Sequence, residues 1–449
     1  MRMKMTRREA LKGMGLAGLG LLAKRGMALT VPKDGPHGKW WRGNLHMHTY
    51  WSDGITFPEQ AVDLYKNTLG YDFLAMSEHN VFADNADSWK PVAEKQTKWP
   101  PEVIKTIFDR YMQSAAGKEA QTRTAADGTT EVRLKTYDEV KRMFDEPGRF
   151  LLMPGVEITQ HCGVEVHLNY INLPDVVPSV KGGPANKGMK AHPTDIIAQN
   201  VKEVAALAAQ LKRPSMLMLN HPEWRYFDIL PEHLINNPEV LFFEVANCGS
   251  DWAPPDDLPV KSNDLFWDVI NAFRMMKGHP LIYGTGTDDT HSYPGEAEAN
   301  YTVVRSAELS PDALLAAMHA GDFYASTGVI LADIAFDAAK RSLHVKVLPA
   351  PDASYTISFI TTKKNFDQTV RTVEVPAVEK GRPRRTLPIY SADIGKTAHR
   401  AEGTEATYTM APDDLYVRAR IESSQPNPPR GRLPHIYPDK QVAWTQPYA

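Results

Sequence analysis

Cysteine is scarce in this chain, and two common catalytic patterns are missing. The 449 residues include 2 cysteines, Cys162 and Cys248, which are too few for a disulfide framework. They also lack the Cys-x-x-Cys spacing of a structural zinc site, so we expect both to be buried thiols. Neither a Ser-His-Asp nucleophile pattern nor a glycine-rich phosphate-binding loop is found. Any chemistry must therefore rest on other groups.

The chain also has little excess charge of either sign. Its 51 Lys and Arg residues nearly balance its 54 Asp and Glu residues, which gives a formal net charge of -3. Nucleic-acid-binding proteins usually carry a strongly basic surface, so we expect no nucleic-acid partner. An anionic substrate would have to be attracted by local groups or by metal ions.

The N-terminal apolar run, residues 14–23, is too short to cross a membrane, so we expect no stable membrane anchor. It follows a basic segment in which residues 6–12, Thr-Arg-Arg-Glu-Ala-Leu-Lys, resemble the twin-arginine export signal. Residues 26–28 are small enough for cleavage, so residues 1–28 are predicted to be a signal peptide. The protein would then be periplasmic or secreted, exported folded, with the twin-arginine export machinery as a partner. The alternative is a basic amphipathic helix that stays attached.

The remaining chain divides into two regions with different patterns of predicted secondary structure. Residues 29–328 alternate short apolar runs with helical patterns, which predicts an α/β fold, a (β/α) barrel with its site at the C-terminal mouth of the strands. Residues 329–449 show short strands separated by turns, which predicts a small all-β sandwich. Two long loops, residues 81–136 and 174–193, follow strand ends and either select the substrate or cover apolar surface.

The strands predicted in the first region are residues 43–48, 73–77, 150–156, 165–171, 215–220, 241–246, 281–284 and 301–305. The predicted helices are residues 59–68, 102–114, 137–144, 195–211 and 264–276, with Thr194 and Asp195 as the expected N-cap of the fourth.

Metal-ligand residues follow the first predicted strand. Side chains two apart in a strand point to the same side, so His46 and His48 project together. Asp53 follows in a Ser-Asp-Gly turn that can fold back and bring its carboxylate to the same place. Two imidazoles and a carboxylate suit Zn, Mn or Fe. Other predicted strands end in the same residue types, which adds His79, Glu157, His167, His221, Asp289 and His291.

Taken together, these motifs resemble the PHP-domain metal hydrolases, a family named for polymerase and histidinol phosphatase. The resemblance covers about residues 40 to 328 and implies a distorted (β/α) seven-stranded barrel that holds two or three divalent metal ions. The matching segments are His46-Met47-His48, Ser52-Asp53-Gly54, Ser77-Glu78-His79-Asn80, Gly155-Val156-Glu157, His167, His221-Pro222 and Asp289-Thr290-His291. Residues 288–293, 323–328 and 443–447 resemble an exported branch that includes carbamate and ester hydrolases.

Two choices among neighbouring carboxylates depend on spacing and on the resemblance. Asp289 is preferred to Asp288 because it would share a face with His291 if the segment is extended. Glu157 is preferred to Glu165 because the glycine before it matches the family, which leaves Glu165 at the rim. The family usually has Thr-Asp-His where this chain has Ser77-Glu78-His79, so Glu78 is expected to reach differently.

Several other polar residues near the expected mouth have two interpretations. Arg225 either holds a phosphate or carboxylate of the substrate or is an ordinary surface arginine. Glu244 and Asn247 either line the mouth or hydrogen-bond the ligand histidines. His161 and His192 are either proton donors to a leaving group or solvent-exposed side chains.

The ligand set is too large for one ion, so at least two metals are expected. The predicted activity is a metal-dependent hydrolase that uses a metal-bridged hydroxide to cleave a phosphoester of a small-molecule substrate. Carboxyl-ester, carbamate or amide hydrolysis by the same site is the alternative, and a catalytically inactive binding module is a third possibility. The residues assigned to catalysis are Asp289, His221 and Arg225. The expected pairing places His46, His48, Glu157 and Asp289 on one metal, His79 and His167 on a second bridged by Glu157, and Asp53, His221 and His291 around both.

Overall fold

The computed structural model describes residues 38–92, 101–181, 191–224, 227–248, 259, 262–293, 296–375, 385–427 and 439–449. The predicted signal peptide, residues 1–28, lies outside these ranges. Within them no helix is both long and apolar enough to cross a membrane.

The first twelve strands, β1 to β12, are Lys39–Asn44, Phe73–His79, Trp89–Pro91, Thr122–Thr124, Thr130–Arg133, Leu151–His161, Glu165–Ile171, Met216–Leu219, Phe242–Asn247, Tyr283–Thr287, Tyr301–Ser306 and Phe323–Ser326. Strands β13 to β21 are Leu331–Asp337, Ser342–Val347, Tyr355–Thr361, Arg371–Val375, Arg385–Ile389, Lys396–Glu402, Glu405–Thr409, Arg418–Pro426 and Lys440–Thr445. Helices α1 to α8 are Pro58–Asp63, Pro101–Gln113, Ala115–Lys118, Tyr137–Phe144, Pro193–Leu211, Pro231–Ile235, Asn263–Met276 and Pro311–His319. A π-helical turn, Leu64–Thr68, extends α1, and Pro178–Val180 forms a 3₁₀ turn.

The fold is α/β, and its largest sheet has 13 strands in the order β10-β9-β8-β7-β6-β2-β1-β11-β12-β21-β20-β15-β18. Strands β1, β2 and β6 run parallel to one another, and so do β8, β9 and β10. Strand β7 is antiparallel to both of its neighbours, β6 and β8. A (β/α) barrel has parallel strands, and that expectation is wrong at β11, which is antiparallel to β1. It is also wrong at β7. The cause is the short turn between His161 and Glu165, because a parallel connection needs a crossover of about a dozen residues or more.

Side-chain alternation along the strands leads directly to the candidate site. On β2, Phe73 and Ala75 point into one buried apolar cluster, whereas Leu74 and Met76 point into another. Helix α8, which the sequence patterns did not predict, packs against the first cluster. The Phe73 face ends at His79, so the polar end of the strand lies directly beyond the apolar cluster.

Local sequence explains where two helices begin. Helix α4 starts where expected because the Thr136 hydroxyl accepts the Glu139 N–H and the Glu139 carboxylate accepts the Thr136 N–H. Helix α5 starts earlier than expected, at Pro193, and His192 rather than Thr194 is its N-cap. Proline suits the first helical turn because its missing N–H has no helical partner there.

The insertion at residues 81–136 packs beside the segment that follows His48. The Trp51 indole donates to the Lys135 carbonyl at 2.9 Å, and the Tyr50 hydroxyl donates to the Pro91 carbonyl. The Lys135 ammonium lies 2.7 Å from the Glu59 carboxylate of α1. The insertion therefore covers the buried aromatic side chains next to the site.

The strands after residue 328 are divided among three sheets. Strands β15, β18, β20 and β21 join the large sheet through β12, whereas β13, β14 and β19 form a second sheet and β16 and β17 a hairpin. The Gln446 side chain pairs with β10, donating to the Gly284 carbonyl at 2.9 Å and accepting its N–H at 2.8 Å. The sandwich stays a prediction, and the structure adds that the two regions share hydrogen-bonded strands.

A buried ion pair also joins these two regions. The Arg418 guanidinium of β20 donates from Nε and Nη2 to the two carboxylate oxygens of Asp268 on α7, at 2.8 and 2.6 Å. The Tyr416 hydroxyl donates to the same carboxylate at 2.7 Å, and the Trp267 ring lies 4.8 Å from the guanidinium carbon. Both charged side chains are buried. We refer to these contacts as the Asp268–Arg418 junction.

Candidate metal centre

His46 and His48 lie just beyond the first strand rather than within it, which corrects the predicted boundary of residues 43–48. Strand β1 ends at Asn44, but the chain continues in hydrogen-bonded contact with the segment after β10. The Asp289 N–H donates to the His46 carbonyl at 3.0 Å, and the His48 N–H donates to the Thr290 carbonyl at 2.8 Å. Both rings still project to one side, and their Nε2 atoms are 3.0 Å apart.

Two carboxylates face this pair of imidazoles. Asp289 Oδ1 lies 3.2 Å from Nε2 of both His46 and His48. Glu157 Oε2 lies 3.5 Å from His46 Nε2, 3.2 Å from His48 Nε2 and 2.6 Å from His79 Nδ1. The first strand end, β2, β6 and the segment after β10 thus converge on one small volume.

Asp53 extends the cluster on one side, as the Ser-Asp-Gly turn predicted. Its Oδ1 atom lies 3.1 Å from His291 Nε2 and 3.4 Å from His79 Nε2. The ring of His48 lies between them, 4.2 Å from the His79 ring and 4.3 Å from the His291 ring. These four side chains form a group whose ligand atoms could hold one ion.

His167 and His221 lie on the other side, around the second oxygen of Glu157. Glu157 Oε1 is 2.9 Å from His167 Nδ1 and 3.6 Å from His221 Nε2. His221 Nε2 is 4.0 Å from Asp289 Oδ2. All the residues predicted as metal ligands are therefore brought together. Two further groups could hold an ion: His46, His48 and Glu157 form one, and His79, Glu157 and His167 form the other.

The buried oxygens fit a cation better than they fit the protein alone. Glu157 Oε2 and Asp289 Oδ1 are fully buried and have no well-aligned hydrogen bond, although histidine nitrogens surround them. An unpaired buried carboxylate oxygen is costly, because burial removes the water that would solvate it. Imidazole nitrogens and carboxylate oxygens are the ligands that zinc, manganese and iron prefer. The donor set therefore suits divalent metal ions.

Protons balance the carboxylates in the metal-free protein. Burial opposes protonation of His48, but Asp289 and Glu157 outweigh it and raise the pKa of His48 to about 10. Burial likewise opposes protonation of His167, whose pKa is raised to about 9 by Glu157 and Glu165. Burial lowers the pKa of His79 to about 4, and the neighbouring His48 contributes. Cations bound here would compete with these protons, because a metal ligand must be deprotonated.

Glu244 on β9 holds two of the histidines in position, through the His46 ring and the His221 backbone. Its carboxylate lies 2.7 Å from His46 Nδ1, and it accepts the His221 backbone N–H at 2.8 Å. The Thr287 hydroxyl and the Asn247 amide also donate to it, both at 2.6 Å. Of the two interpretations of Glu244, the structure favours a partner of the ligand histidines, which leaves His46 Nε2 free to face the site.

Asparagine side chains, which sequence reasoning missed, fix the other carboxylate. The Asn220 amide donates to Glu157 Oε1 and to the Asn169 side-chain oxygen, both at 2.9 Å. Asn169 in turn donates to the Leu45 carbonyl at 3.1 Å, next to His46. Asn220 directly precedes His221, so its place at a strand end was the available signal. This chain of amides occupies Oε1 and leaves Oε2 directed at the histidines.

Glu78 points away from the ligand cluster. Its carboxylate accepts the Thr49 N–H at 3.0 Å and both the Thr49 and Ser52 hydroxyls at 2.5 Å. It therefore holds the loop between His48 and Asp53.

Asp288 and Asp289 have different partners, but the extended segment predicted there is wrong. Asp289 adopts a left-handed φ of 48°, so the two residues do not simply alternate. Asp289 points into the cluster. Asp288 accepts the N–H groups of Glu298, Ala299 and Asn300 at 2.8, 2.7 and 2.9 Å, and the Tyr65 hydroxyl at 2.7 Å. Asp288 therefore stabilises the backbone of residues 298–300, just before β11.

The remaining candidates lie at the edge of the cluster or outside it. The Oε2 atom of Glu165 lies 3.1 Å from His167 Nε2, the ring nitrogen that faces away from Glu157. His161 is partly exposed at the end of β6, and His192 caps α5. Arg225 lies outside the described residues. Cys248 is buried as expected, but Cys162 is only half-buried, which corrects that prediction.

No protein-family model matches the chain, and no curated protein matches it. A solved structure from Bacteroides vulgatus ATCC 8482 is similar to 94% of this chain over 98% of its own length, with 16% sequence identity and a TM-score of 0.40. It is described as a two-domain protein containing a predicted PHP-like metal-dependent phosphoesterase. At this identity and TM-score, the likeness carries no argument about activity.

Proposed function

We propose that this protein is a metal-dependent hydrolase that cleaves a phosphoester of a small-molecule substrate. The observation that carries the proposal is the pair of buried oxygens, Glu157 Oε2 and Asp289 Oδ1, which face the nitrogens of His46 and His48 at 3.2 to 3.5 Å. The sequence resemblance to PHP-domain hydrolases, with the distorted seven-stranded barrel that it implies, supports the same conclusion.

The three ligand groups support two or three divalent ions, of Zn, Mn or Fe. Glu157, His48 and His79 each belong to two of these groups, so neighbouring ions would share ligands. Such ions supply, when bound, an activated water nucleophile and positive charge for the substrate oxygens.

The protein's own groups keep this arrangement rigid. Glu244 fixes the ring of His46, and Asn220 fixes the carboxylate of Glu157, so neither needs to reorient during the reaction. Burial of His46 and Glu157 excludes competing water from the floor of the site. We assign Asp289 and His221 to catalysis, since Asp289 Oδ2 lies 4.0 Å from His221 Nε2 beside the other ligand side chains. We assign Arg225 to substrate binding from its place four residues after His221.

One observation favours hydrolysis of a carboxyl ester, carbamate or amide as a second candidate. A small open pocket adjoins His167 and His221, and its described lining includes the carboxylates of Glu165 and Asp228 but no Lys or Arg. Arg385 lies 3.6 Å from Asp228, so Glu165 is the carboxylate that would repel a phosphate dianion more than an uncharged carbonyl substrate.

A panel of nitrophenyl phosphates and nitrophenyl esters, assayed with Mn, Fe and Zn, tests both candidates. We expect turnover that disappears on chelation and returns with added metal, and a phosphate preference supports the first candidate. Elemental analysis of protein purified without added metal, beside the double variant His46→Ala and His48→Ala, gives the number and kind of ions. Stoichiometric metal without any turnover would contradict catalysis and favour a binding module.

We also propose export. The twin-arginine-like residues 6–12 support a signal peptide that ends near residue 28 and a periplasmic or secreted location. Replacing Arg7 and Arg8 by Lys should retain the protein in the cytoplasm, which cell fractionation measures. Export of that variant at the normal level would contradict the proposal.

A further inference from the structure

The segment of residues 227–230 connects the candidate metal centre to the hairpin β16–β17. On one side, Asp228 and Ile229 line the small pocket together with His167 and His221. On the other side, Leu230 packs against the buried Val375 and Leu387 of the hairpin. The hairpin follows the predicted domain boundary, so it brings the C-terminal region to the edge of the site.

Arg385 holds this segment in an unfavourable backbone conformation. Phe227 has a φ of 60°, in the left-handed region that residues other than glycine adopt rarely. The Arg385 guanidinium donates from Nη2 to the Phe227 carbonyl, and its Nη1 lies 3.6 Å from Asp228 Oδ1. Arg385 thus contacts the strained residue and neutralises the buried carboxylate that follows it.

From Asp228 the contacts lead to a metal-ligand histidine. Asp228 Oδ2 accepts the backbone N–H of Glu165 at 3.2 Å. Glu165 Oε2 lies 3.1 Å from His167 Nε2, the outer nitrogen of the ring. The other ring nitrogen, Nδ1, lies 2.9 Å from Glu157 Oε1. A carboxylate on the outer nitrogen orients a histidine and makes it a better ligand.

We propose that Arg385 is a positioning residue for the ion held by His79, Glu157 and His167, and acts on it through Asp228 and Glu165. The proposal rests on the metal centre of the proposed function. Loss of the guanidinium leaves Asp228 without this cation and removes the bond to the Phe227 carbonyl. The segment then relaxes, Glu165 loses its backbone anchor, and His167 turns more freely.

Titration of the metal-free full chain with Co²⁺, followed by visible absorption, tests the proposal. In the Arg385→Met variant we expect one Co²⁺ position to weaken about 10-fold or more, the range for partners of metal ligands, while the position at His46 and His48 is unchanged. Arg385→Lys should recover part of the affinity. Arg371→Met is the matched control, since Arg371 is exposed on the same hairpin and should bind Co²⁺ like the wild type.

A second variant, Glu165→Gln, distinguishes an effect of Arg385 on the position of His167 from a general loss of stability. In the Glu165→Gln variant the carboxylate on His167 is already lost, so adding Arg385→Met should change Co²⁺ affinity little. The same loss in both backgrounds, no loss in either, or a lower unfolding midpoint with unchanged affinity would overturn the inference. A wild type that binds Co²⁺ but turns over no substrate overturns the proposed function alone. A wild type that binds no Co²⁺ overturns both.

Discussion

The candidate metal centre and the Asp268–Arg418 junction are both buried charge clusters, but their hydrogen bonding differs. In the junction, each carboxylate oxygen of Asp268 accepts from the guanidinium, and Tyr416 adds a third bond. In the metal centre, two buried carboxylate oxygens have no well-aligned bond, and two imidazole nitrogens are 3.0 Å apart. In the junction both oxygens of Asp268 are paired as the chain folds, whereas in the metal centre Glu157 Oε2 and Asp289 Oδ1 gain well-aligned partners only with cations. The first should therefore govern stability and the second activity.

The largest effect is expected at the junction. In Asp268→Ala the Arg418 guanidinium keeps the partly exposed Asp264 carboxylate, 2.9 Å from Nη2, but loses its fully buried partner. This should cost about 3 kcal/mol in the free energy of unfolding, the low end for breaking a buried ion pair. Denaturant unfolding of the metal-free protein measures this cost. Replacing Asp268 and Arg418 by Leu should recover most of the stability, because neither of the two fully buried charges then remains. A double variant as unstable as Asp268→Ala would show that packing, rather than charge, determines the junction's contribution.

Next in size is the loss of a carboxylate from the metal centre. Asp289→Asn is nearly isosteric and should keep the fold, but should lower turnover by about 100-fold or more, since it removes an anionic ligand. Asp288→Asn is the matched control. Because Asp288 accepts three backbone N–H groups, its substitution should cost about 1–3 kcal/mol of stability while turnover changes little. The opposite pattern would exchange the roles of the two residues.

A smaller effect is expected from Glu244→Gln. The amide keeps a hydrogen-bond acceptor but loses the charge beside His46 Nδ1, so metal affinity should fall about 10-fold. Calorimetric titration with Zn²⁺ measures the change. Unfolding of this variant to the extent of Asp268→Ala would remove the distinction between the two clusters.

The smallest effect is a release of protons on metal loading. In the metal-free protein the pKa of His48 is about 10 and that of His167 about 9, both above the ordinary value of 6.5. Their protonation stabilises the metal-free fold fully below pH 6.5, and this contribution is lost as the pH rises through 9 to 10. Near pH 7.5, Zn²⁺ binding should therefore release protons, which a pH indicator in weak buffer detects. Zinc binding without release would show that both rings are already neutral.

The sequence predicted the residues of the site better than their geometry. Strand β7 matches its predicted bounds because apolar residues alternate along it, and α4 does so because Thr136 and Glu139 form its cap. Most residues predicted as ligands lie together because the parallel strands point to one side of the sheet, whereas His167 reaches that side near the start of the antiparallel β7. The left-handed φ at Asp289 was not predictable, since it depends on contacts with His46 that are distant in sequence.

Other features depend on pairs of distant residues and left no local pattern. For Glu244 the sequence left two interpretations open, because the choice depends on His46, 198 positions away. The direction of β7 could have been predicted, because the few residues before it cannot form a crossover. Helix α8 was missed because its short apolar run resembles a buried strand.

The bonds of Gln446 to Gly284 can form only after residue 446 has been made. Gly284 lies on the strand that leads to Asp289, and its partner is 162 residues downstream. At a synthesis rate of about 5–20 residues per second, roughly 10 to 30 s separate the two residues as they are made. During that interval the Gly284 N–H and carbonyl must hydrogen-bond to water or to a chaperone instead of to Gln446. A ribosome that stalls before residue 446 would therefore release a chain with its ligands present and the strand beneath them unsecured.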